Sequence, residues 1–551
     1  MKNKLIFLFM FIVVAGILLS GCNFNEAEET DEVNPNTSDG ENTTVEKQVL
    51  NMVEASEIPT MDSAHAHDNV SFTVLSNVNE GLYRLGKEHN PELAMASENQ
   101  ISEDGLVHTF TLRDANWSNG KPVTAEDFVF AWQRVFNETG HYASMFETAS
   151  ILNATEIIKG EKPVEELGVK ALDEKTLEVT LVAPTPLLGQ YLTFPTFLPQ
   201  NQEFVESLGE KYALESTELL YNGPFILSEW KHDESWTYEK NPEYWDKDSV
   251  KLDEVNVFVV KEDSTQLNLY ETKKVDIINL SSASVDQFKD SEDFITLGDS
   301  EIFFLRFNHN HEALGNENIR RAIDMSWDKV AHVDTILNNG SLALYGLVPT
   351  GFSYSPDGKD YREVNGDLNR GTIEEAQGYL AKGLEEIGEE SVKITLTVSA
   401  VEGNDKTAEY LKNQIETNLP ELSVEIKLVP VEQRYELESA KEYDMVISAW
   451  GPDYIDPMTY IGMWVTDGSA NRMDYSNVEY DALVAQINTE NDTSKRYQIM
   501  LDAEKMLFED AAIAPLYQRG LAVLQRTNIE GLVRHPSGPD FTFKWTNIES
   551  K

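Results

Sequence analysis

The sequence predicts a multidomain α/β protein, and three observations carry that expectation. At 551 residues the chain exceeds what one hydrophobic core organises, and roughly 150 residues per domain suggests about three or four domains. Apolar residues at 41% and aromatics at 10% are enough to fill those cores. The carboxyl-terminal half also reads strand, helix, strand, over Val392 to Val398, Thr407 to Leu419 and Val424 to Val429. A helical crossover of that kind sets its two strands parallel.

Charge narrows the partners before any motif is considered. With 44 Lys and Arg against 95 Asp and Glu, the formal net charge is −51. Nucleic acid and anionic membrane surfaces both demand a basic face, so neither is an expected partner. Acidity of this kind keeps a secreted protein soluble, which is a plainer explanation than a special acidic function.

Taken in order, the chain opens with Lys2 and Lys4 ahead of an apolar run from Leu5 to Leu19. This is the charged and apolar pattern of a secretory signal, and it is short for a membrane span. The run ends Leu19-Ser20-Gly21-Cys22, a lipobox-like sequence, and Cys22 is the only cysteine of the chain. Residues 1–21 are therefore expected to be removed, leaving a lipid-bearing Cys22 outside the membrane and no disulfide. Residues 22–47, rich in Asn, Glu, Thr and Asp, cannot repay their ordering entropy and read as a tether. Asn42-Thr43-Thr44 within it has the form of a glycosylation acceptor, but plain polar linker is the favoured reading.

Short strands and turns dominate from Gln48 to about Tyr191. Thr109 to Arg113 is strand-like, Asn119-Gly120 is a turn, and Thr124 with Asp127 three residues on marks a helix start. Phe128, Trp132, Val135 and Phe136 follow at helical spacing as a core stripe. Lys175 to Val182 alternates as a half-buried strand, and Pro184, Pro186, Pro195 and Pro199 mark a crossing between domains. Asn222-Gly223-Pro224-Phe225 turns into a strand, Val255 to Val260 is another, and Ile302 to Phe307 leads into a helix with Ile319, Ala322, Ile323 and Trp327.

In the crossover unit Leu411, Ile415 and Leu419 share one helix face, and a further helix near Glu432 to Ala440 leads to the strand Met445 to Ala449. That strand breaks at Gly451-Pro452 and leaves Trp450, Asp453 and Tyr454 past its carboxyl end. In open parallel sheets ligands sit in that crevice. An acid shielded there would hold an ammonium group by a charge-assisted hydrogen bond of roughly 1.5–3 kcal/mol. An Asp before Tyr-Ile-Asp-Pro also serves as ordinary turn chemistry.

No nucleophile elbow, P-loop, zinc-protease helix or glycine-rich dinucleotide fingerprint occurs, so hydrolase, kinase and dehydrogenase readings lack their minimal parts. His65-Ala66-His67-Asp68 and His309-Asn310-His311 hold metal-capable side chains without a second cluster, and they also read as loop residues.

The run from Arg113 to Phe128, with Ala115-Asn116-Trp117-Ser118-Asn119-Gly120-Lys121-Pro122 at its centre, resembles the oligopeptide-binding proteins of peptide ABC importers. So do Asn222-Gly223-Pro224, Asn241-Pro242-Glu243-Tyr244-Trp245, and Trp450 with Asp453-Tyr454 before Asp456-Pro457. The likeness runs from about Gln48 onward, and the first motif is shared by a wider superfamily that also binds dipeptides, nickel or haem. Leu167 to Asp173 and the Trp-x-x-Asp-Tyr pattern point to the oligopeptide branch.

The resemblance implies an α/β, three-domain periplasmic-binding-protein-like fold whose ligand cleft closes by hinge motion. Domain I would comprise residues 48–78, 195–304 and 518–551, a smaller inserted domain II residues 79–194, and domain III residues 305–517. It implies a binding protein, not an enzyme, with no cofactor and no metal. The protein would be a monomer that is lipid-anchored at the extracytoplasmic face and delivers oligopeptides to permease subunits. A receptor for one signalling peptide, or a binder of another ligand such as nickel, haem or a dipeptide, is the alternative within the fold, and a surface metalloprotein using His65 and His67, or a peptidase, the alternatives outside it. By resemblance Asp453 takes the peptide amino group, Trp450 and Tyr454 flank it, and Tyr142 lies near the same end. Main-chain groups around Ala449 and Gly451 on one side, and His67, Asp68 and Asn69 on the other, hold the peptide backbone. Some relatives carry an arginine three residues before the tryptophan; here that residue is Ile447, and Lys441 is the only base between Tyr435 and Trp450. The peptide's carboxyl end would then lack a fixed cation, which implies tolerance of several lengths.

Overall fold

Fourteen-residue and thirteen-residue antiparallel strands, Phe294–Phe307 and Ile513–Gln525, form the spine of the molecule. The computed structural model describes residues 47–137, 140, 142–401 and 403–549. The expected signal, Cys22 and nearly all of the tether lie outside the described residues. No described helix is long and apolar enough to cross a membrane.

In chain order, β1 (Val49–Glu54) precedes helix α1 (Asn69–Val78). Strands β2 (Ala96–Ile101), β3 (Val107–Leu112), β4 (Val169–Asp173) and β5 (Thr176–Thr180) form an antiparallel sheet in the order β2-β3-β5-β4. Helix α2 (Ala125–Asn137) lies within that segment. Its start follows the expected chemistry, with Asp127 accepting from the Thr124 N–H at 2.9 Å and from the Trp117 indole at 3.1 Å. Phe128, Trp132 and Val135 are buried, and Phe136 packs against them half-buried.

β6 (Phe225–Lys231), β7 (Ser235–Lys240), β8 (Glu254–Val259), β9 (Ile277–Asn279) and β10 (Phe294–Phe307) follow. The crossover unit is β11 (Val392–Ser399), α3 (Asn404–Asn418) and β12 (Leu422–Val429), and its strands are parallel over eight residue pairs. Leu411 and Ile415 on α3, with Leu419 just past its end, are fully buried, as their spacing requires. Helix α4 (Val431–Ala440) leads to β13 (Met445–Trp450), and β14 (Ile513–Gln525) completes the set.

These strands share one sheet in the order β12-β11-β13-β10-β14-β9-β1-β8-β7-β6, with Leu342–Ala343 pairing on β14. The sheet is mixed rather than parallel. β13 runs parallel to β11 but antiparallel to β10, so the crevice rule for parallel sheets holds on one side of it only. Alternation along β10 sends Ile302 and Phe304 into one apolar cluster and Leu305 and Phe307 into another, so this part of the sheet is buried on both faces.

β10 is longer than its apolar pattern predicts. The strand starts at Phe294, and its pairing with β14 shifts register between Gly298 and Ile302. The polar Asp299-Ser300-Glu301 step interrupts the hydrophobic alternation that reveals a strand in sequence.

Candidate functional site

β13 reads Met-Val-Ile-Ser-Ala-Trp, and its first four residues are buried. A near-continuous apolar run suits a strand covered on both faces. It ends because Pro452 has no N–H to continue the ladder.

Its two edges differ. β10 pairs with all six residues of β13, from Ile302 opposite Trp450 to Phe307 opposite Met445. β11 pairs only with Met445 and Val446 and then diverges. From Ile447 onward, no described strand pairs with the β11-side edge. A Cβ built on Gly451 would meet nothing within 4 Å, so the chain just past that edge also faces open space.

The loop that follows is tightly held. The Asp453 N–H donates to Thr459 Oγ1 at 3.2 Å, and the Trp450 indole points to the same oxygen at 3.4 Å. Arg496 makes a two-pronged pair with Asp456 at 2.7 and 2.9 Å, and Asp456 also accepts from the Met458 N–H at 3.0 Å. Thr459 and Arg496 are positioning residues with no signal in the local sequence, Arg496 lying forty residues from its partner.

Asp453 itself is half-buried, and among the described residues its carboxylate has no hydrogen-bond donor and no cation. Burial raises its pKa to about 6. Tyr142 is pushed up to about 12, first by burial and then by Asp453 and Asp68, which brings these three groups into one electrostatic neighbourhood. An aromatic cluster holds Tyr142, with the rings of Phe72 and Phe194 at 5.7 and 4.7 Å. Tyr454 meets Tyr191 edge-on at 4.9 Å.

Asp68 caps α1 through Oδ1, accepting from the Ser71 N–H at 2.9 Å, while its Oδ2 is buried without a partner. His67 and Asn69 beside it are exposed, and His67 Nδ1 lies 3.1 Å from the His65 carbonyl oxygen. Ala449 is half-buried opposite Phe303. The structure thus gathers Asp453, Tyr142 and Asp68, and sets Trp450, Tyr454, Ala449 and Gly451 in the same strand and turn.

Ile447 packs into the apolar cluster that contains Leu396 and Leu411. Lys441 is paired with Asp474. Arg306 of β10 stands opposite Val446, and Arg434, in α4, pairs with Glu438 and donates to Ser399 at 2.8 Å. His309 is held against the Ala512 carbonyl at 3.1 Å, and burial with the Arg320 charge lowers its pKa to about 4. Among the described residues no group of three or more His, Cys, Asp or Glu could hold a metal ion.

Comparison with known proteins matches residues 90–472 to the bacterial extracellular solute-binding proteins, family 5. The dipeptide-binding protein DppE of Bacillus subtilis is 36% identical over 533 residues, covering 96% of each chain. Listeria monocytogenes OppA, solved bound to peptide, superposes with a TM-score of 0.76 at 42% identity, covering 92% of this chain and all of its own. The pheromone receptor PrgZ gives 0.76 at 33% identity with the same coverage.

A raised carboxyl pKa carries a stability consequence. The folded chain binds the Asp453 proton more tightly than the unfolded chain, whose pKa is about 3.9. The cost of the buried charge is therefore absent below about pH 4, grows with rising pH and is complete above about pH 6. Asp453→Asn should stabilise the ligand-free protein at pH 7.5 by about 1–3 kcal/mol after screening, seen as a raised thermal midpoint. The gain should vanish near pH 4; an equal gain at both pH values would place its origin elsewhere.

Proposed function

Because the chain belongs to the bacterial extracellular solute-binding proteins of family 5, we propose that it captures oligopeptides outside the cell and delivers them to an ABC-type membrane permease. The observation that carries this reading is the half-paired edge of β13, which ends beside an uncompensated acid. An extended peptide adds to that edge as a strand, and backbone hydrogen bonds supply affinity whatever the side chains are. Main-chain groups of Ala449 and Gly451 serve one side of it, and those of His67, Asp68 and Asn69 the other.

The peptide's ammonium group sits at Asp453, between Trp450 and Tyr454, with the Tyr142 hydroxyl nearby. A desolvated carboxylate is costly alone and strongly attractive to a cation, so the same burial that raises its pKa favours the amino terminus over a neutral end. The protein acts as a binder rather than a catalyst, works as a monomer and needs no cofactor. Residues 48–78, 195–304 and 518–551 form domain I, residues 79–194 domain II and residues 305–517 domain III. Closure of III on I is a hinge motion of the β10 and β14 spine, whose register shift at Gly298 to Ile302 supplies a natural flexing point.

Residues 1–21 direct secretion, Cys22 carries the lipid, and residues 22–47 tether the folded body. A single lipid-bearing cysteine at the start of a polar segment gives the protein reach without insertion of its body in the membrane.

Calorimetry with a free-amine pentapeptide and its N-acetylated form tests the amino-terminal role. Asp453→Asn should weaken the free-amine peptide by about tenfold or more and the acetylated one far less. Affinity of the parent protein for the free amine should also fall as pH drops below about 6, where Asp453 becomes neutral. Equal losses for both peptides would remove Asp453 from this role. Cys22→Ala should move the protein from the membrane fraction to the soluble fraction with peptide affinity intact; retention on the membrane would contradict the anchor.

A further inference from the structure

β10 and β14 carry the chain between domains I and III, and they are least supported where they cross. β13 pairs with β10 only from Ile302 to Phe307, and β9 pairs with β14 only from Val523 to Gln525. Between those limits the two strands lose register, and Gly298 stands opposite Gly520. A two-stranded ribbon twists more than a wider sheet, and glycine inside a strand has no side chain to pack.

A third segment, residues 338–343, covers this crossing. Its end pairs with the outer edge of β14, Leu342 with Gln518 and Ala343 with Tyr517. Just before that pairing Gly340 packs directly on Gly520, so closely that a Cβ built on Gly520 would collide with the Gly340 carbonyl group and the Ser341 nitrogen. Gly340 has φ +88°, and a Cβ added there would lie 3.2 Å from the Cβ and Cγ2 of Thr296 on β10. Left-handed backbone and close approach both select glycine at 340. Asn338, itself left-handed at φ 44°, reaches the Ser282 carbonyl oxygen in domain I at 3.4 Å.

Hydrogen bonds fix the segment in place. Ser341 donates through both Oγ and its N–H to Asn339 Oδ1, at 2.7 and 3.2 Å. With its proton so directed, Oγ is left as an acceptor, and the Gly520 N–H donates to it at 3.0 Å. Ser341 is buried, so moving it away would leave a strand N–H unsatisfied. Gln518, also buried, donates to the Asp299 and Thr350 carbonyl oxygens at 2.8 and 3.0 Å and accepts from the Thr350 N–H at 3.1 Å. It thereby ties the crossing to the chain that follows the segment.

We propose that residues 338–343 are a strap that restrains the hinge between domains I and III, permitting opening and closing while suppressing twist. The inference rests on the three-domain, hinge-closing reading above and adds the element that guides the motion. The strap is anchored on both sides of the crossing, through Ala343 on Tyr517 in domain III and through Asn338 on Ser282 and Gly340 on Thr296 in domain I. Without it the ligand-free protein would spread over more relative orientations of the two domains, and fewer of them would close on a ligand. Apparent affinity scales with the fraction in the binding-competent state, so every ligand would lose by the same factor.

The test is single-pair fluorescence between dyes on Glu234→Cys and Glu385→Cys, both at exposed positions, in the full chain carrying Cys22→Ala. Distances are read with and without alanine pentapeptides, one with a free amine and one N-acetylated, and calorimetry gives their affinities. Gly520→Ala displaces the strap, because the atoms its Cβ would meet first all belong to Gly340 and Ser341. Ser341→Ala removes only the acceptor for the Gly520 N–H, and it serves if Gly520→Ala does not fold. Both variants should broaden the ligand-free distance distribution and weaken the two peptides by about threefold to tenfold, with factors that agree within about twofold. Distributions as narrow as the parent's in both variants, or losses that fall on one peptide alone, would overturn the strap while leaving peptide binding in place. Failure of the parent protein to bind either pentapeptide would overturn the peptide reading, and the ligand-free distributions would still decide on the strap.

Discussion

β13 loses one of its two neighbours after its second residue, and the candidate site depends on that. On one side β10 fixes every residue of the strand; on the other, β11 departs after Val446. A strand held along one edge and unpaired along most of the other is rigid and still able to accept a further strand. Bare edges are normally a hazard that proteins shorten or cover. Here the bare part is short and ends at Gly451-Pro452.

Rigidity matters because Asp453 is kept in an unfavourable setting. A desolvated carboxylate without a donor would relax toward water if its loop could move. Thr459 ties down both the Asp453 N–H and the Trp450 indole, and the Asp456–Arg496 pair anchors the far end of the turn. Ring contacts of Tyr142 with Phe72 and Phe194, and of Tyr454 with Tyr191, hold the aromatic residues of this neighbourhood. Burial of this charge costs stability locally, and the surrounding contacts hold it in place.

Much of this was legible in the chain. The apolar run from Met445, the break at Gly451-Pro452 and the acid beyond it announced a strand and a polar turn, and the spacing of Leu411, Ile415 and Leu419 announced the crossover helix. Residue pattern reports which faces are buried, and these elements are buried in simple ways. Tyr142 came from family resemblance, because nothing in its own neighbourhood distinguishes it from a loop tyrosine. Arg496 and Thr459 were invisible because their roles depend on tertiary approach. The first half of β10 was hidden because Gly298 and its polar neighbours break the alternation, and long-range pairing with β14 supplies what local pattern lacks. The mixed direction of the sheet was hidden for the same reason: pattern reveals strands but not which antiparallel neighbour lies beside them.

Strand addition at β13 is the central claim, and backbone substitution in the ligand tests it most directly. Replacing single peptide N–H groups of an alanine pentapeptide by ester oxygens removes one donor at a time and leaves the side chains unchanged. The expected result is a loss of about 0.5–1.5 kcal/mol in binding at alternate residues near the amino end, where the ligand's N–H groups face the protein. Affinity indifferent to every ester, with binding still governed by side chains, would contradict the account.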